Sequence, residues 1–413
     1  MTNYETVRQA ALRLGVTERT IQLWAKSGQL AGARKVGRDW MIPADEFDDP
    51  DEEATETPEA AQPVEAEKIA EPESEPLPPA PRIPMPLLSA AFEPGMCMET
   101  IQAMTDPDTR GIALAEYDYF RGQHEAALRA AAPYLGHCDR ALSLSAALIS
   151  CYANVAVGRF EAARQVFGMI GAAQPDDDAL TRVMRLVVET LFHLPPPPDG
   201  AALPSLSALP EGMRLFVCYV MAHRAYLDGN YERSLGLAEA ALALGSRVYP
   251  IASVYLRLIA AINLMNLRRV DEARRHFMSA WRQARPDSLI EGFGEHHGLL
   301  QGLVEACLRH DDPTGYERVI EITYKFSAGW RRIHNPKTSE MVADNLTTME
   351  FTIAMLVSKG WSYQEIARHL DVSASYVKKL IATAYEKLGV ASRRELKQYM
   401  LRYPLRSPAE RTA

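Results

Sequence analysis

The residues of this chain best suited to chemistry are cations and hydroxyls set at helical spacing near its C-terminal end. Val377, Leu380, Ile381, Ala384 and Leu388 recur at intervals of three and four, which is the apolar stripe of a helix. Tyr376, Lys379, Thr383 and Lys387 fall opposite that stripe, with Lys378 beside them and Ser375 at the leading end. Arg394 follows a few residues later. Ammonium and guanidinium groups displayed this way donate to phosphate oxygens and can reach the N7 and O6 edge of guanine. The chemistry on offer is therefore recognition of a polyanion. A lone lysine of this kind is usually just a solvated helix face, but the constellation points further.

Bond-making chemistry finds no constellation. The chain contains no Gly-x-x-x-x-Gly-Lys-Ser/Thr phosphate loop and no Gly-x-Ser-x-Gly elbow. His296 and His297 are adjacent, so they point to different faces of a helix, and neither has a cysteine or histidine at ligand spacing. The five cysteines (Cys97, Cys138, Cys151, Cys218 and Cys307) form no Cys-x-x-Cys pair and read as small buried residues of a reducing compartment. No enzymatic activity, metal or cofactor is expected.

Short helices must position the C-terminal cations. Thr347 precedes Glu350 by three residues, Ser362 precedes Glu365, and Ser392 precedes Glu395. Each pair is the signature of a reciprocal helix cap. Gly360 and Gly389 supply helix stops. With Ser373 as a further cap, the spacing predicts helices over about 348–358, 363–370, 374–388 and 393–402. Met349, Ile353, Leu356 and Val357 should point inward from the first, and Ile366, Ala367 and Leu370 from the second. The short turn Asp371-Val372-Ser373 joins the second and third helices, as in a helix-turn-helix whose later helix enters the major groove.

The N-terminal 47 residues repeat the logic. Thr6 and Gln9 cap a helix that ends near Leu14-Gly15, and Thr17 caps a second over 18–27, closed by Gly28. Ile21 faces inward together with Trp24 or Ala25. Val36 to Ile42 reads as two short strands around a glycine-containing turn.

Residues 344–402 resemble the LuxR-type DNA-binding domain through Leu346, Thr347, Glu350, Gly360, Ser362, Glu365, Ile366, Ala367, Leu370, Val372, Ser373, Val377, Lys378, Lys387, Leu388, Gly389, Val390 and Arg394. Two positions depart: Leu380 stands where that family commonly has His, and Tyr376 where a small hydroxyl residue is usual. The N-terminal segment resembles the excisionase and MerR-like helix-turn-helix family through Leu14 to Thr17, Thr20-Ile21, Trp24, Ser27-Gly28, Leu30, Val36-Gly37-Arg38, Trp40 and Ile42-Pro43. The resemblances imply double-stranded DNA as partner. They imply contacts from Ser375, Tyr376, Lys378, Lys379, Thr383, Lys387 and Arg394 at one end. At the other end Thr17, Arg19, Thr20, Gln22 and Lys26 lie on or beside the reading helix, and Arg34, Lys35 and Arg38 lie on the wing.

Between the modules lie two further segments. Residues 48–86 hold twelve Asp/Glu against two Lys/Arg, with ten prolines. Such a stretch cannot bury enough apolar surface to offset its ordering entropy, and reads as an extended acidic tether. It accounts for more than the whole net charge of −8, leaving both ends basic. Residues 87–343 are apolar and helical in pattern, with a weak repeat anchored at Gly122, Gly158, Gly229 and Leu267 and a degenerate copy holding a helix near Val183–Leu194. The period resembles tetratricopeptide repeats, which implies a stacked solenoid with a concave surface. Tyr117, Tyr152, Tyr219, Tyr226 and Tyr255 could line a pocket there for an effector, although such a stripe is more often packing between helices.

The expected fold is mainly α. A winged helix-turn-helix spans 1–47, a disordered acidic linker 48–86, a helical-repeat sensor or interaction domain 87–343, and a four-helix LuxR-type module 344–413. The expected function is one-component transcription regulation in the cytoplasm, without membrane insertion. RNA polymerase, an effector or protein on the repeats, and a second copy of the chain are the further partners considered. The competing reading is an interaction scaffold whose end domains dock proteins rather than DNA.

Overall fold

The computed structural model describes residues 4–13, 17–27, 30, 33–36, 39–43, 82–170, 179–191, 206–334 and 346–400. The chain divides into two compact units, Met1–Leu77 and Pro78–Ala413.

The first unit packs two helices on a three-stranded sheet. Strand β1 (Tyr4–Thr6) leads into α1 (Val7–Arg13), and α2 (Glu18–Ser27) precedes β2 (Arg34–Val36) and β3 (Asp39–Pro43). The sheet order is β1-β3-β2, all antiparallel, with Tyr4 opposite Pro43 and Val36 opposite Asp39. The expected cap is present: Thr6 N donates to Gln9 Oε1 at 2.9 Å and Gln9 N to Thr6 Oγ1 at 3.4 Å. Ala10, Ala11, Ile21, Ala25, Leu30 and Ile42 form a small core, with Trp24 and Trp40 half-buried around it. Strand β1 has no alternating pattern of its own. It exists because β3 offers an edge, and the Arg34 guanidinium on β2 lies 4.0 Å from the Tyr4 ring centre.

The second unit begins with α3 (Pro86–Ser89) and α4 (Cys97–Gln102). Helical hairpins follow: α5 (Pro107–Phe120) with α6 (His124–Ala131), then α7 (Arg140–Ala156) with α8 (Phe160–Ile170). After α9 (Ala179–Leu191) come α10 (Glu211–Leu227) with α11 (Tyr231–Leu244) and α12 (Pro250–Asn266) with α13 (Val270–Ala284). The unit then continues through α14 (Glu291–Glu295), α15 (Leu303–Leu308) and α16 (Pro313–His334). It ends in α17 (Thr348–Ser358), α18 (Tyr363–Leu370), α19 (Ala374–Leu388) and α20 (Arg393–Met400). Among the described residues no helix is long and apolar enough to cross a membrane.

Within each hairpin the turn needs one left-handed residue. Gly122, Gly158 and Gly229 supply it at φ +73°, +79° and +76°. In the fourth hairpin the left-handed residue is Arg268 (φ +63°), one position beyond the anchor expected at Leu267. A side chain in that region costs roughly 1–2 kcal/mol, so the arginine must contribute something elsewhere. In the degenerate copy α9 starts earlier than expected, while residues 171–178 and 192–205 lie outside the described residues.

The expected open concave surface is covered. The leading helices of the hairpins stack on one another, and α3, α14 and α16 pack against them. Leu87 N and Leu88 N donate to the two oxygens of the fully buried Glu116 at 3.0 and 2.9 Å. Burial pushes that carboxyl up to about 8.

This arrangement also moves the linker boundary. Arg82 donates to Asp106 at 2.8 Å, Asp108 at 3.1 Å and Asp139 at 3.4 Å. Asp106 and Asp139 are themselves the N-caps of α5 and α7. Met85 and Pro86 are buried. Residues 82–86, expected as the end of a disordered tether, belong to the folded unit because one guanidinium bridges two helix caps and two apolar side chains fill the core. The rest of the expected tether lies outside the described residues. The expected boundary at 343/344 falls inside the second unit.

Candidate nucleic-acid interface

Helix caps set the C-terminal module. Thr347 N donates to Glu350 Oε2 at 2.8 Å and Glu350 N to Thr347 Oγ1 at 3.2 Å, fixing the start of α17. Ser362 and Glu365 repeat the arrangement for α18 at 2.7 and 3.2 Å. In the third pair Glu395 N donates to Ser392 Oγ at 3.2 Å, but the carboxylate reaches back to Ala391 N at 2.9 Å, one residue earlier than the expected pattern. Asp371 takes a left-handed turn (φ +52°) between α18 and α19, and Ser373 Oγ accepts from Tyr376 N at 3.1 Å.

Helix α19 divides as its sequence requires. Val377, Ile381, Ala384 and Leu388 are buried, and Leu380 is half-buried. Ser375, Tyr376, Lys378 and Lys379 are exposed, and Thr383, half-buried, donates back to Lys379 O at 3.2 Å. These side chains form one continuous polar surface on the second helix of a helix-turn-helix, the element that enters a major groove. Tyr376, at 39% exposure, is a large ring on an otherwise polar face.

Lys387 is placed differently from the expected backbone grip. Its ammonium donates to both oxygens of Glu350, at 3.0 and 2.8 Å, tying the end of α19 to the start of α17. Burial raises the Glu350 carboxyl, but the bonds from Lys387 and Thr347 outweigh it and hold the group below its ordinary value. Arg394 is exposed on α20, whereas its neighbour Arg393 donates to the carbonyls of Val357 (3.1 Å) and Trp361 (2.8 Å), closing the C-terminal end of α17.

The module is mounted on the helical body through α17 and α18. Only one face of α17 was expected to turn inward, yet Thr352 to Ser358 are all buried, while Met349 is half-buried. The helix lies between the other module helices and the body, and Thr352 donates to Glu305 on α15 at 3.2 Å. Buried His369 donates from Nε2 to Gln301 O at 3.0 Å, and Arg274 donates to His369 O at 2.7 Å. With Arg274 also 3.5 Å from Nδ1, the imidazole is held neutral, and burial brings it down to about 4. Arg268, the strained turn residue, lies 4.5 Å from the Trp361 ring centre and donates to Lys359 O at 2.9 Å. Sequence reasoning missed this mount because its residues come from segments 47 to 95 positions apart.

In the first unit Thr17, Arg19, Gln22 and Lys26 are exposed along α2 and its cap, and Thr20 is half-buried. Arg34 and Lys35 are exposed on β2, while Arg38 lies outside the described residues. Leu23 is 59% exposed on the same helix, an apolar contact available beside the polar ones.

The five tyrosines are not brought together around a pocket. Tyr219 and Tyr255 meet at 5.1 Å and pack with Phe216 and His296. Tyr152 meets Tyr119 at 6.2 Å. Half-buried Tyr117 lies against Arg121, and half-buried Tyr226 against Tyr231. Tyr152, Tyr219 and Tyr255 are core residues at 6%, 0% and 4% exposure. His296 Nδ1 donates to Gly292 O at 2.8 Å, which leaves Nε2 to accept from Tyr219 OH at 2.9 Å; His297 instead donates to Glu305 at 2.7 Å. The two histidines thus have separate partners.

Comparison with known proteins matches the two ends. Residues 344–400 match the family model for bacterial regulatory proteins of the luxR family, and residues 6–49 match a helix-turn-helix domain. Neither covers the helical middle. Among curated proteins, the HTH-type transcriptional regulator MalT of Klebsiella pneumoniae is 36% identical over 70 residues, 17% of this chain and 8% of that protein. The MalT of Yersinia pestis is 38% identical over 65 residues, 16% of this chain and 7% of that protein. The chain therefore spans less than a tenth of the length of these relatives. No solved structure matches. The chain carries a helix-turn-helix at each end, the C-terminal one of the luxR family.

Proposed function

We propose that the protein is a sequence-specific, DNA-binding transcription regulator of the one-component kind, with no enzymatic activity of its own, acting in the cytoplasm. The observation that carries this reading is the division of α19. Its apolar side is locked into the module while Ser375, Tyr376, Lys378 and Lys379 are exposed on the other side. The matched families and the named regulators among the relatives support the same reading. Lys378 and Lys379 contact phosphate or guanine edges, Ser375 and Tyr376 meet the bases near the start of the helix, and Arg394 takes a neighbouring phosphate. On the first unit α2 reads bases through Arg19, Thr20 and Gln22, and the strand bearing Arg34 and Lys35 meets the backbone. The helical body is the regulatory part, contacting an effector, RNA polymerase or a second copy of the chain.

Genome-wide binding-site mapping of the full chain tests this. Replacement of both Lys378 and Lys379 by glutamate should abolish occupancy while the module stays folded by circular dichroism. Occupancy that survives in a folded double variant refutes the reading.

A further inference from the structure

Where the C-terminal module meets the helical body there is a cleft of ≈ 630 Å³, within the roughly 300–1,000 Å³ usual for small-molecule sites. Met265 approaches it from the end of α12, Arg268 from the hairpin turn and Tyr231 from the start of α11, and Trp361, Arg394 and Lys397 approach from the module. Lys359 and Arg393 also line it, bringing the cations to five, and none of the described lining residues is a carboxylate. Burial, and then the charge of Arg268, lower the Lys359 ammonium.

Two buried donors there lack a partner. Gln301 is 2% exposed and Trp361 4%, both line the cleft, and neither Gln301 Nε2 nor Trp361 Nε1 has a hydrogen-bond acceptor. Leaving such a donor unsatisfied costs about 1–3 kcal/mol. Lys359, Arg268 and Arg393 are already anchored to Asn266 Oδ1, Lys359 O and the α17 carbonyls. Those bonds fix three of the cations in place, with Lys359 half-buried; Arg268, Arg393, Arg394 and Lys397 are exposed. Tyr231, Met265 and the Trp361 ring add an apolar wall.

From this cleft we infer a binding site for a small phosphorylated molecule carrying two or more negative charges. Its phosphates meet Arg268, Arg394 and Lys397, its remaining acceptors take the Gln301 and Trp361 N–H groups, and its organic part lies on the aromatic wall. Because the walls come from both the body and the module, the ligand bridges them and stabilises the mount. Binding itself does not depend on the regulator reading; only its consequence for DNA occupancy does.

The test is titration calorimetry of the full chain with inorganic pyrophosphate, in the absence of DNA. One equivalent should bind. Lys397→Glu and Arg394→Glu should each weaken it about tenfold or more, the loss of one charge-assisted contact. Lys379→Glu, on the face of α19 outside the cleft, should leave it unchanged. A parallel titration with citrate separates phosphate from carboxylate chemistry, and citrate binding alone would overturn the phosphate assignment. Absence of binding, or binding insensitive to Lys397→Glu, would overturn the site. If pyrophosphate fails to bind and Lys397→Glu weakens only duplex DNA, the cleft is part of the DNA interface and the proposal falls. Since the calorimetry contains no DNA, failure of the regulator reading would appear separately, in the occupancy of the Lys378/Lys379 double variant.

Discussion

Two lysines of α19 that look equivalent in sequence should behave differently on DNA. Lys379 is exposed with Lys378, whereas the Lys387 ammonium is held between the two oxygens of Glu350. Each phosphate contact contributes about 0.9 to the slope of log affinity against log salt, so a fourfold rise in salt weakens binding roughly 3.5-fold per contact. Replacing Lys378 and Lys379 together by glutamine should flatten the slope by about 1.8. The advantage of the native protein over that variant should then shrink roughly twelvefold between about 50 and 200 mM salt. Lys387→Gln should leave the slope unchanged. It should instead lower stability by about 1–2 kcal/mol, between the worth of an exposed pair and a buried one, because Glu350 is almost wholly buried. Fluorescence anisotropy on a mapped site, repeated across salt concentrations, gives the slopes, and thermal melting gives the stability. A Lys387→Gln protein with native melting and a slope lowered by about 0.9 would show that the ion pair opens on DNA, and would refute the division between the two lysines.

Three further outcomes follow from the mount and the first unit. His369 titrates at about 4 in the folded chain against about 6.5 unfolded. A depressed folded value means stability that is full above pH 6.5 and lost as pH falls toward 4; the loss by pH 5 is about 2 kcal/mol, and His369→Gln should remove most of that dependence in a pH series of thermal melts. Gly302 is left-handed (φ +84°), and a Cβ there would stand 2.8 Å from Leu370 Cδ2 and 3.0 Å from Thr352 Cγ2, so Gly302→Ala should cost about 1–3 kcal/mol and expose the α17–α18 surface to hydrogen exchange; unchanged exchange there would count against the mount. Lys35→Glu should weaken DNA binding by the first unit without altering its melting, since the side chain is exposed on β2, and full occupancy at every mapped site would point to protein rather than DNA as its partner.

What the sequence made legible was local. Thr347 with Glu350, Ser362 with Glu365 and Thr6 with Gln9 are three residues apart, and the bonds they form depend on nothing outside one helical turn. The buried stripe of α19 follows from helical period alone. What was not legible required distant chain. Lys387 read as a free cation because Glu350 lies 37 positions away, and α17 read as one-sided because Glu305 is 47 positions from Thr352. The tyrosines read as packing between helices more readily than as pocket-lining, and local spacing could not decide between the two, because α3, α14 and α16, which pack on the hairpins, lie elsewhere in the chain. Arg82 shows the same limit from the other side: its surroundings in sequence are acidic and proline-rich, and its partners Asp106, Asp108 and Asp139 decide that it is ordered.

The mount and the reading face use different residues. Thr352, Lys359, Trp361 and His369 hold the module to the body, and none belongs to the exposed set Ser375, Tyr376, Lys378 and Lys379. A perturbation of the mount therefore acts on where the helix is held, and two opposing perturbations of similar size can be set against each other. Protonation of His369 at pH 5 costs about 2 kcal/mol, while a bridging ligand at about a hundred times its dissociation constant adds about 2.7 kcal/mol. Pyrophosphate at that level should recover the melting temperature lost between pH 7 and pH 5 in the native chain, and should recover much less in Lys397→Glu at the same concentration. Equal recovery in both proteins would mean that the anion acts by general screening, and that the cleft does not couple the body to the module.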